Sequence, residues 1–455
     1  MTNKLYRWAN RCFTLHPLLL FGIIYVLFLA KSFFFLDPDF GWHISSGQYI
    51  LSHGIPYHDI YSYTMPTFPW IHHEWLADTG NYLVYHYIGG YTALAVLYAG
   101  LWTGALWLVT HTAKQRLLVL LAAILILPFA GIRAITWSMV FSAILIRLSH
   151  AQSSRTRRYI PLVMLFWANM HGSFVVGIAY LACQWLAKRE RASGLILLAS
   201  VAVSVITPYG AGMYVEVFRT MTDTSLHTNI SEWMPLQLSL GIGVFTGIWF
   251  AMLALEKRPW RKKLIRFETL LLLMAFSSVR QAPLFVLFAL PTMLAGIKQL
   301  PKLTITMPVK RMMIVAVALL LSVNIVLAVV EMHTSTSLDR ESGYPRAIAA
   351  KLRAEPCKGN VFASYNYGGY LIWKVPGEKL FIDGRMPSWS LNGDDIMADY
   401  IKITKNASFR QQEFARYHVT CVVWDGKATF AQQLQKSGWK VAQTEPANRI
   451  VLLEQ

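Results

Sequence analysis

The chain has 455 residues, 55% of them hydrophobic and only 15% charged, with 42 Lys and Arg against 24 Asp and Glu for a formal net charge of +18. So little polar surface excludes an ordinary water-soluble domain and points to a polytopic chain that crosses a lipid bilayer. A charge of that size would suit nucleic acid, but the placement of the basic residues is explained by membrane topology, and no nucleic-acid partner is expected.

Taken in chain order, apolar segments at residues 17–36, 91–112, 117–131, 136–148, 159–169, 173–187, 194–207, 238–255, 267–279, 282–297 and 312–330 predict about eleven transmembrane helices. The first is longer than the apolar core of a signal peptide and is followed by no evident small-residue cleavage site, so it is expected to stay as an anchor. With the N-terminus cytoplasmic, the basic groups around Lys4, Lys114, Arg155, Lys188, Lys257 and Lys298 all fall on the inner side. The opposite loops hold little beyond Arg133, Arg219 and Arg280. This positive-inside pattern predicts a multi-pass protein of the plasma (inner) membrane whose C-terminal domain is extracytoplasmic.

The expected domains are a membrane body, residues 1–330, with a large first outer loop at 37–90, and a soluble α/β domain, residues 331–455. The loop is rich in aromatic residues, among them Trp42, Tyr49, Tyr61, Trp70 and Trp75, and reads as two helices lying along the interface at 40–53 and 69–87. In the tail, helical periodicity covers 345–354 and 394–405. Strand-like runs occur at 360–363, 379–382, 418–424, 438–441 and 449–453, which suggests a small, partly parallel sheet flanked by helices. Cys357 and Cys421 both lie in this external tail and form a candidate disulfide, whereas Cys12 and Cys183 read as buried small residues.

The outer ends of the spans carry polar clusters: DPDFGWH, IHHEWLAD, GIRAITWS, WANMHGS, ITPYG with ISEWMP, and SSVRQAP. The middles of the spans are almost free of charge. A transporter or flippase needs ionisable groups near the midplane, while an enzyme acting on a membrane-anchored substrate needs them at one interface, and this chain has the second pattern.

Asp37 and Asp39 flank a proline that biases Asp37 to extended backbone, so they do not share a helical face but can approach one site from a loop. One carboxylate can deprotonate an acceptor hydroxyl while the other holds a cation; Asp39 also reads as the cap of a helix starting at Phe40. Arg280 and Arg133 suit the planar fork of a guanidinium on phosphate, or snorkel at the lipid surface. His72 and His73 are adjacent and point to different sides, so a zinc centre is not expected from them. Glu74 and Asp78 share a face, and Glu74 joins Asp37 and Asp39 as a candidate site for a divalent cation, Mg or Mn. His43, His73, Glu74, Asn169, His171 and Glu232 are candidate pocket groups, with Asn169, His171 and Glu232 equally readable as satisfied helix caps. No phosphate-cradling P-loop is present. In GYLIWKVPGEKLFIDGR the glycines mark turns, Asp383-Gly384 above all, and Arg385 is a candidate to reach the membrane face.

The loop text DPDFGWHISSGQYILSHGIPYHDIYSYTMPTFPWIHHEWL, with WANMHGS, SEWMP, NYGGYLIW and FIDGR further on, resembles the GT-C superfamily of glycosyltransferases, closest to bacterial relatives of the dolichyl-phosphate-mannose protein mannosyltransferases. The likeness covers the layout of most of the chain, and the first loop matches a motif with an assigned role. It implies a membrane glycosyltransferase that moves a sugar from a polyprenyl-phosphate donor to a hydroxyl of a protein, lipid or glycan on the outer face. Asp37 would be base or metal ligand and Asp39 its partner; some members use a divalent cation. Longer signatures of oligosaccharyltransferases are not evident. The alternatives are a transporter or flippase of a lipid-linked glycan, for which no inverted repeat is seen, and a membrane-anchored scaffold, for which one span would suffice.

Overall fold

The computed structural model describes residues 16–236, 240–256, 259, 263–299, 339–445 and 449–455. The predicted span at 312–330, the N-terminal basic cluster, Cys12 and the side chain of Lys298 lie outside the described residues.

The helices form where apolar periodicity places them. In chain order the first four are α1 (Pro17–Phe34), α2 (Phe40–His53), α3 (Trp75–Val84) and α4 (Gly90–Thr110). Helix α1 starts with proline at its first turn, where a missing N–H costs nothing, and His16 caps it by accepting the Leu18 N–H. Among the described residues three helical runs are long and apolar enough to cross a membrane: Pro17–Phe34, Trp75–Thr110 and Val279–Ile297. Most of the remaining predicted spans form apolar helices of 10–17 residues, such as Ile135–Ser149 and Phe174–Lys188. At about 1.5 Å per residue these are shorter than a hydrocarbon core of roughly 30 Å, and the described residues do not establish eleven crossings.

The predicted interfacial helix at 69–87 and the following span are one helical run rather than two elements. A π-helical turn, Tyr85–Gly89, leads into Gly90 at φ 62°, a value that glycine adopts without steric cost. The Gly89-Gly90 pair marks a change of winding, not an end.

The chain divides into two compact units. The first takes the described parts of Met1–Phe35, Ala95–Ile206 and Ser231–Thr334 and is helical. Its central element, Ala282–Gln299, packs against Arg116–Ile126, Ile135–Ser149, Leu240–Leu255 and Phe267–Ser277. Apolar side chains cover most of that helix's circumference, as expected of a helix surrounded by others. Phe285 meets Phe245 and Trp249 edge-on at 6.0 and 5.6 Å.

The second unit takes Leu36–Leu94, Thr207–Ile230 and the described parts of Ser335–Gln455. Its sheet has strands β1 (Asn360–Ala363), β4 (Val419–Asp425), β5 (Lys440–Glu445) and β6 (Ile450–Glu454) in the order β1-β4-β6-β5, with β2 (Ser390–Leu391) and β3 (Asp394–Asp395) forming a separate hairpin. Strand β1 is parallel to β4 and the other pairs are antiparallel, the partly parallel sheet that the tail's pattern predicts. The run at 379–382 does not form a strand. Leu380 makes isolated bridges to Val361 on one side and to Ser62 of the outer loop on the other, which extends the sheet by single contacts.

The helix Gly368–Lys374 packs on α2 with glycine facing glycine, and a methyl on Gly41 would overlap the Gly369 carbonyl. Cys357 and Cys421 are disulfide-bonded across a sequence separation of 64. Closing a loop of that length is worth about 4 kcal/mol in the chain-entropy treatment. Replacing both cysteines by serine is expected to lower the thermal midpoint of the purified protein by several degrees; an unchanged melting curve would show that the bond does not stabilise this unit.

Candidate functional site

In the second unit the DPDFGWH and HHEWLAD segments converge. Asp39 sits at the N-cap of α2, yet its side chain makes no cap hydrogen bond; its Oδ1 accepts the indole N–H of Trp42 at 3.0 Å. Asp37 in turn accepts the Asp39 backbone N–H at 2.9 Å, a local turn that only a short acceptor side chain can close. One helical turn further on, His43 Nδ1 lies 2.7 Å from Asp78 Oδ1 and 3.5 Å from Glu74 Oε2. His72 Nε2 is 3.0 Å from Asp78 Oδ2, and His73 Nε2 is 3.4 Å from Glu74 Oε1. Helices α2 and α3 come this close because Gly47 has no side chain, and a methyl there would overlap the Asp78 carbonyl.

The cluster is buried. Asp78 is 0% exposed, His72 1% and Glu74 4%. Burial alone would depress the His43 pKa; attraction to Asp78 and a hydrogen bond that its carboxylate accepts, with Glu74 and Asp39 adding to it, outweigh burial and raise the value to about 9. For His72 burial wins over Asp78, and its pKa is lowered. The two imidazoles beside the Asp78 carboxylate are therefore shifted in opposite directions. The donor atoms that lie within 4.8 Å of one another are those of His43, Glu74 and Asp78. Among the described residues no such set of three includes Asp37 or Asp39.

The tail reaches the same loop. The FIDGR turn places Gly384 against Asp39, where a methyl would overlap Oδ1. Arg385 does not reach a membrane face. Its side chain is 2% exposed, 2.8 Å from Asp59 Oδ1 and 2.6 Å from Asp383 Oδ2. The rings of Trp70, Tyr61 and Trp389 surround it at 4.5, 4.8 and 5.3 Å. The physical reason is local: Asp383 Oδ1 accepts both the Arg385 backbone N–H and its Nε–H, which folds the side chain back into the unit.

In the first unit GIRAITWS, ISEWMP and SSVRQAP meet. Arg133 is ion-paired with Glu232, and the Arg280 guanidinium lies over the Trp233 ring at 5.3 Å. Ser278 donates to the Glu232 carbonyl at 3.2 Å and the Val279 N–H to the Met234 carbonyl at 2.9 Å, so the two segments are stitched together. His171 Nδ1 lies 2.6 Å from Ser138 Oγ and 2.8 Å from Ser173 Oγ. Asn169 donates to the Leu165 and Ile206 carbonyls at 2.9 and 3.0 Å.

Sequence reasoning assigned no site role to His72 and Asp78, nor to Asp59 and Asp383. The shared face of Glu74 and Asp78 was legible as an i, i+4 pair, but their imidazole partner comes from α2.

No family model and no curated protein matches the chain. Among solved structures it is similar to the oligosaccharyltransferase of Archaeoglobus fulgidus in the apo form, with a TM-score of 0.56 and 13% identity over 90% of this chain and 69% of that one. The same enzyme tethered through a disulfide bond to an acceptor peptide with the NVT sequon gives a TM-score of 0.54 and 13% identity over 96% and 74% of the two chains. The chain thus shares the fold of this oligosaccharyltransferase.

Proposed function

We propose that the chain is a membrane glycosyltransferase that moves a sugar from a polyprenyl-phosphate donor to an acceptor hydroxyl at the outer face of the plasma membrane. The observation that carries this reading is the hydrogen-bonded Asp37–Asp39 turn, with Asp37 buried and Gly384 of the tail packed against Asp39, in a chain with the fold of an oligosaccharyltransferase. In the transfer the acceptor oxygen bonds to the anomeric carbon as the bond from that carbon to the phosphate oxygen breaks. The acceptor's proton passes to a carboxylate, and the charge left on the phosphate is met by a cation. Asp37 is assigned the base, Asp39 the role of its partner, and Arg280 with Arg133 the phosphate.

His43 and His73 are assigned to receiving the sugar beside Asp37 and Asp39. The tethered NVT peptide of the archaeal enzyme makes a protein the first acceptor to test, ahead of lipid or glycan hydroxyls. The disulfide in the tail supports an extracytoplasmic C-terminal domain, because such bonds persist in oxidising compartments.

Glu232 occupies the fork of Arg133 that a phosphate would use. Arg280→Met is therefore expected to raise the KM for a synthetic polyprenyl-phosphate sugar on the order of 10-fold, the worth of one hydrogen bond to a charged group, and Glu232→Gln to lower it severalfold. Transfer assays in detergent decide this. A donor KM unchanged in Arg280→Met would remove the arginine from donor binding, and a transfer rate indistinguishable from background in the wild-type protein across sugars and acceptors would reject the reading itself.

A further inference from the structure

We propose that Ser149, Arg157, Gln184, Lys188 and Ser193 form a binding site for the phosphate of an anionic membrane phospholipid. The site lies in the first unit, uses none of the residues assigned to sugar transfer and does not need the transferase reading.

Successive helical segments build a small open cleft there. Ser149 ends the helix Ile135–Ser149, and Arg157 ends the short helix Ser154–Arg157. Leu181, Gln184 and Lys188 stand three and four positions apart on Phe174–Lys188 and share one of its faces; Ser193 and Ile196 do the same on Arg191–Ser204. The last two helices are joined only by Arg189 and Glu190, with Arg189 in the left-handed region at φ 56°, and they pack together as a hairpin. Trp185 fills the space over Gly194, where a methyl would lie 2.9 Å from the indole nitrogen.

The polar groups of the wall can all donate to an anion: a guanidinium, an ammonium, a carboxamide and two hydroxyls. The Arg157 Nε–H is buried and has no hydrogen-bond partner among the described residues. Glu190 stands 3.7 Å from Arg157 Nη1 and accepts the Ser193 hydroxyl at 3.3 Å, but its side chain is half exposed. An ion pair that open to water is weak, and a phosphate that accepts several donors at once can replace it.

The rest of the wall is apolar, made by Ile160, Leu181 and Ile196. The same helices carry apolar side chains outward, with Leu195 and Leu198 each 67% exposed. A cleft this small can seat phosphate oxygens but cannot enclose a nucleotide, and its apolar flanks fit a headgroup whose acyl chains lie along those leucines. In the orientation that the charge pattern predicts, this end of the helices meets the cytoplasmic leaflet, where basic clefts between helices hold anionic headgroups.

The test uses the full-length protein, delipidated in detergent, with retained lipid read by native mass spectrometry alongside a thermal melt. The probes are dioleoylphosphatidylglycerol, dioleoylphosphatidylcholine and inorganic phosphate. The expected result is one phosphatidylglycerol retained per chain and a melting midpoint raised by that lipid alone. Arg157→Gln and Lys188→Gln should each weaken retention about fivefold, and Glu190→Gln should strengthen it. Arg158→Gln removes the same charge from outside the wall and should change retention by less than about twofold. Lys188 is exposed, so where Arg157→Gln fails to fold the comparison of Lys188→Gln with Arg158→Gln decides. Equal retention of phosphatidylcholine, protection by inorganic phosphate as strong as that by the lipid, or an Arg158→Gln loss equal to that of Lys188→Gln overturns the proposal. Lipid retention is read without any transfer assay, so its failure and that of the transferase reading are separate results.

Discussion

Asp37→Asn is expected to abolish sugar transfer while leaving expression and folding unchanged. The substitution keeps an oxygen that can accept the Asp39 N–H, so the turn that now closes at 2.9 Å survives and Asp39 keeps its place at the start of α2. What disappears is the negative charge and the basicity. Loss of a positioned general base typically costs between about 10²- and 10⁴-fold in rate, with binding of substrate much less affected. The measurement is kcat/KM on purified protein with a lipid-linked sugar donor, with a melting curve as the folding control. Full turnover in a correctly folded variant would take Asp37 out of the chemistry.

The largest effect on stability is expected at Arg385. Its guanidinium bridges two carboxylates, Asp59 at 5% exposure and Asp383 at 0%, inside a wall of three aromatic rings. Arg385→Met would leave both carboxylates buried without their counter-charge, and breaking such a pair from one side costs on the order of 3–5 kcal/mol. That is a large part of the stability of an ordinary domain. Arg385→Lys should recover part of the loss only, because an ammonium offers a point charge where the planar fork serves two partners at once. Yield of monodisperse protein and the thermal midpoint report the outcome. A methionine variant as stable as the wild type would mean that the carboxylates find water or other donors.

The parts of the fold that were legible are those fixed by local pattern. The helix at 40–53 was read with its observed boundaries, Phe40–His53, because an acidic turn precedes an amphipathic run and a glycine at φ 86° ends it. The strand VTCVVW was read from β-branched density and is central in the sheet. The helix predicted at 394–405 begins two residues later, at Ile396, since Asp394 and Asp395 first pair with Ser390 and Leu391.

Three tail helices were not seen. Gly368–Lys374 opens on two glycines that signal a turn in sequence but serve close packing here. Ala407–Arg416 is capped by Asn406, whose side chain accepts the Phe409 N–H. Thr429–Lys436 is one short amphipathic stretch whose apolar side faces the sheet. The chemistry was legible as residue type and not as pairing. Nothing local tells His43 that its partner is Asp78, 35 positions on, or tells Arg385 that it will meet Asp59. Those pairings depend on how the outer loop and the tail fold within one unit, which a one-dimensional pattern does not encode.

The contact between Gly384 and Asp39 bears on how this chain can be dissected. A truncation that ends before the tail would strip the cover from α2, expose the bare backbone at Gly41 and leave Asp59 without its guanidinium. The C-terminal tail is thus no detachable accessory: a minimal fragment that lacks it would carry the acidic motif in its text and lack the scaffolding that gives the motif its shape.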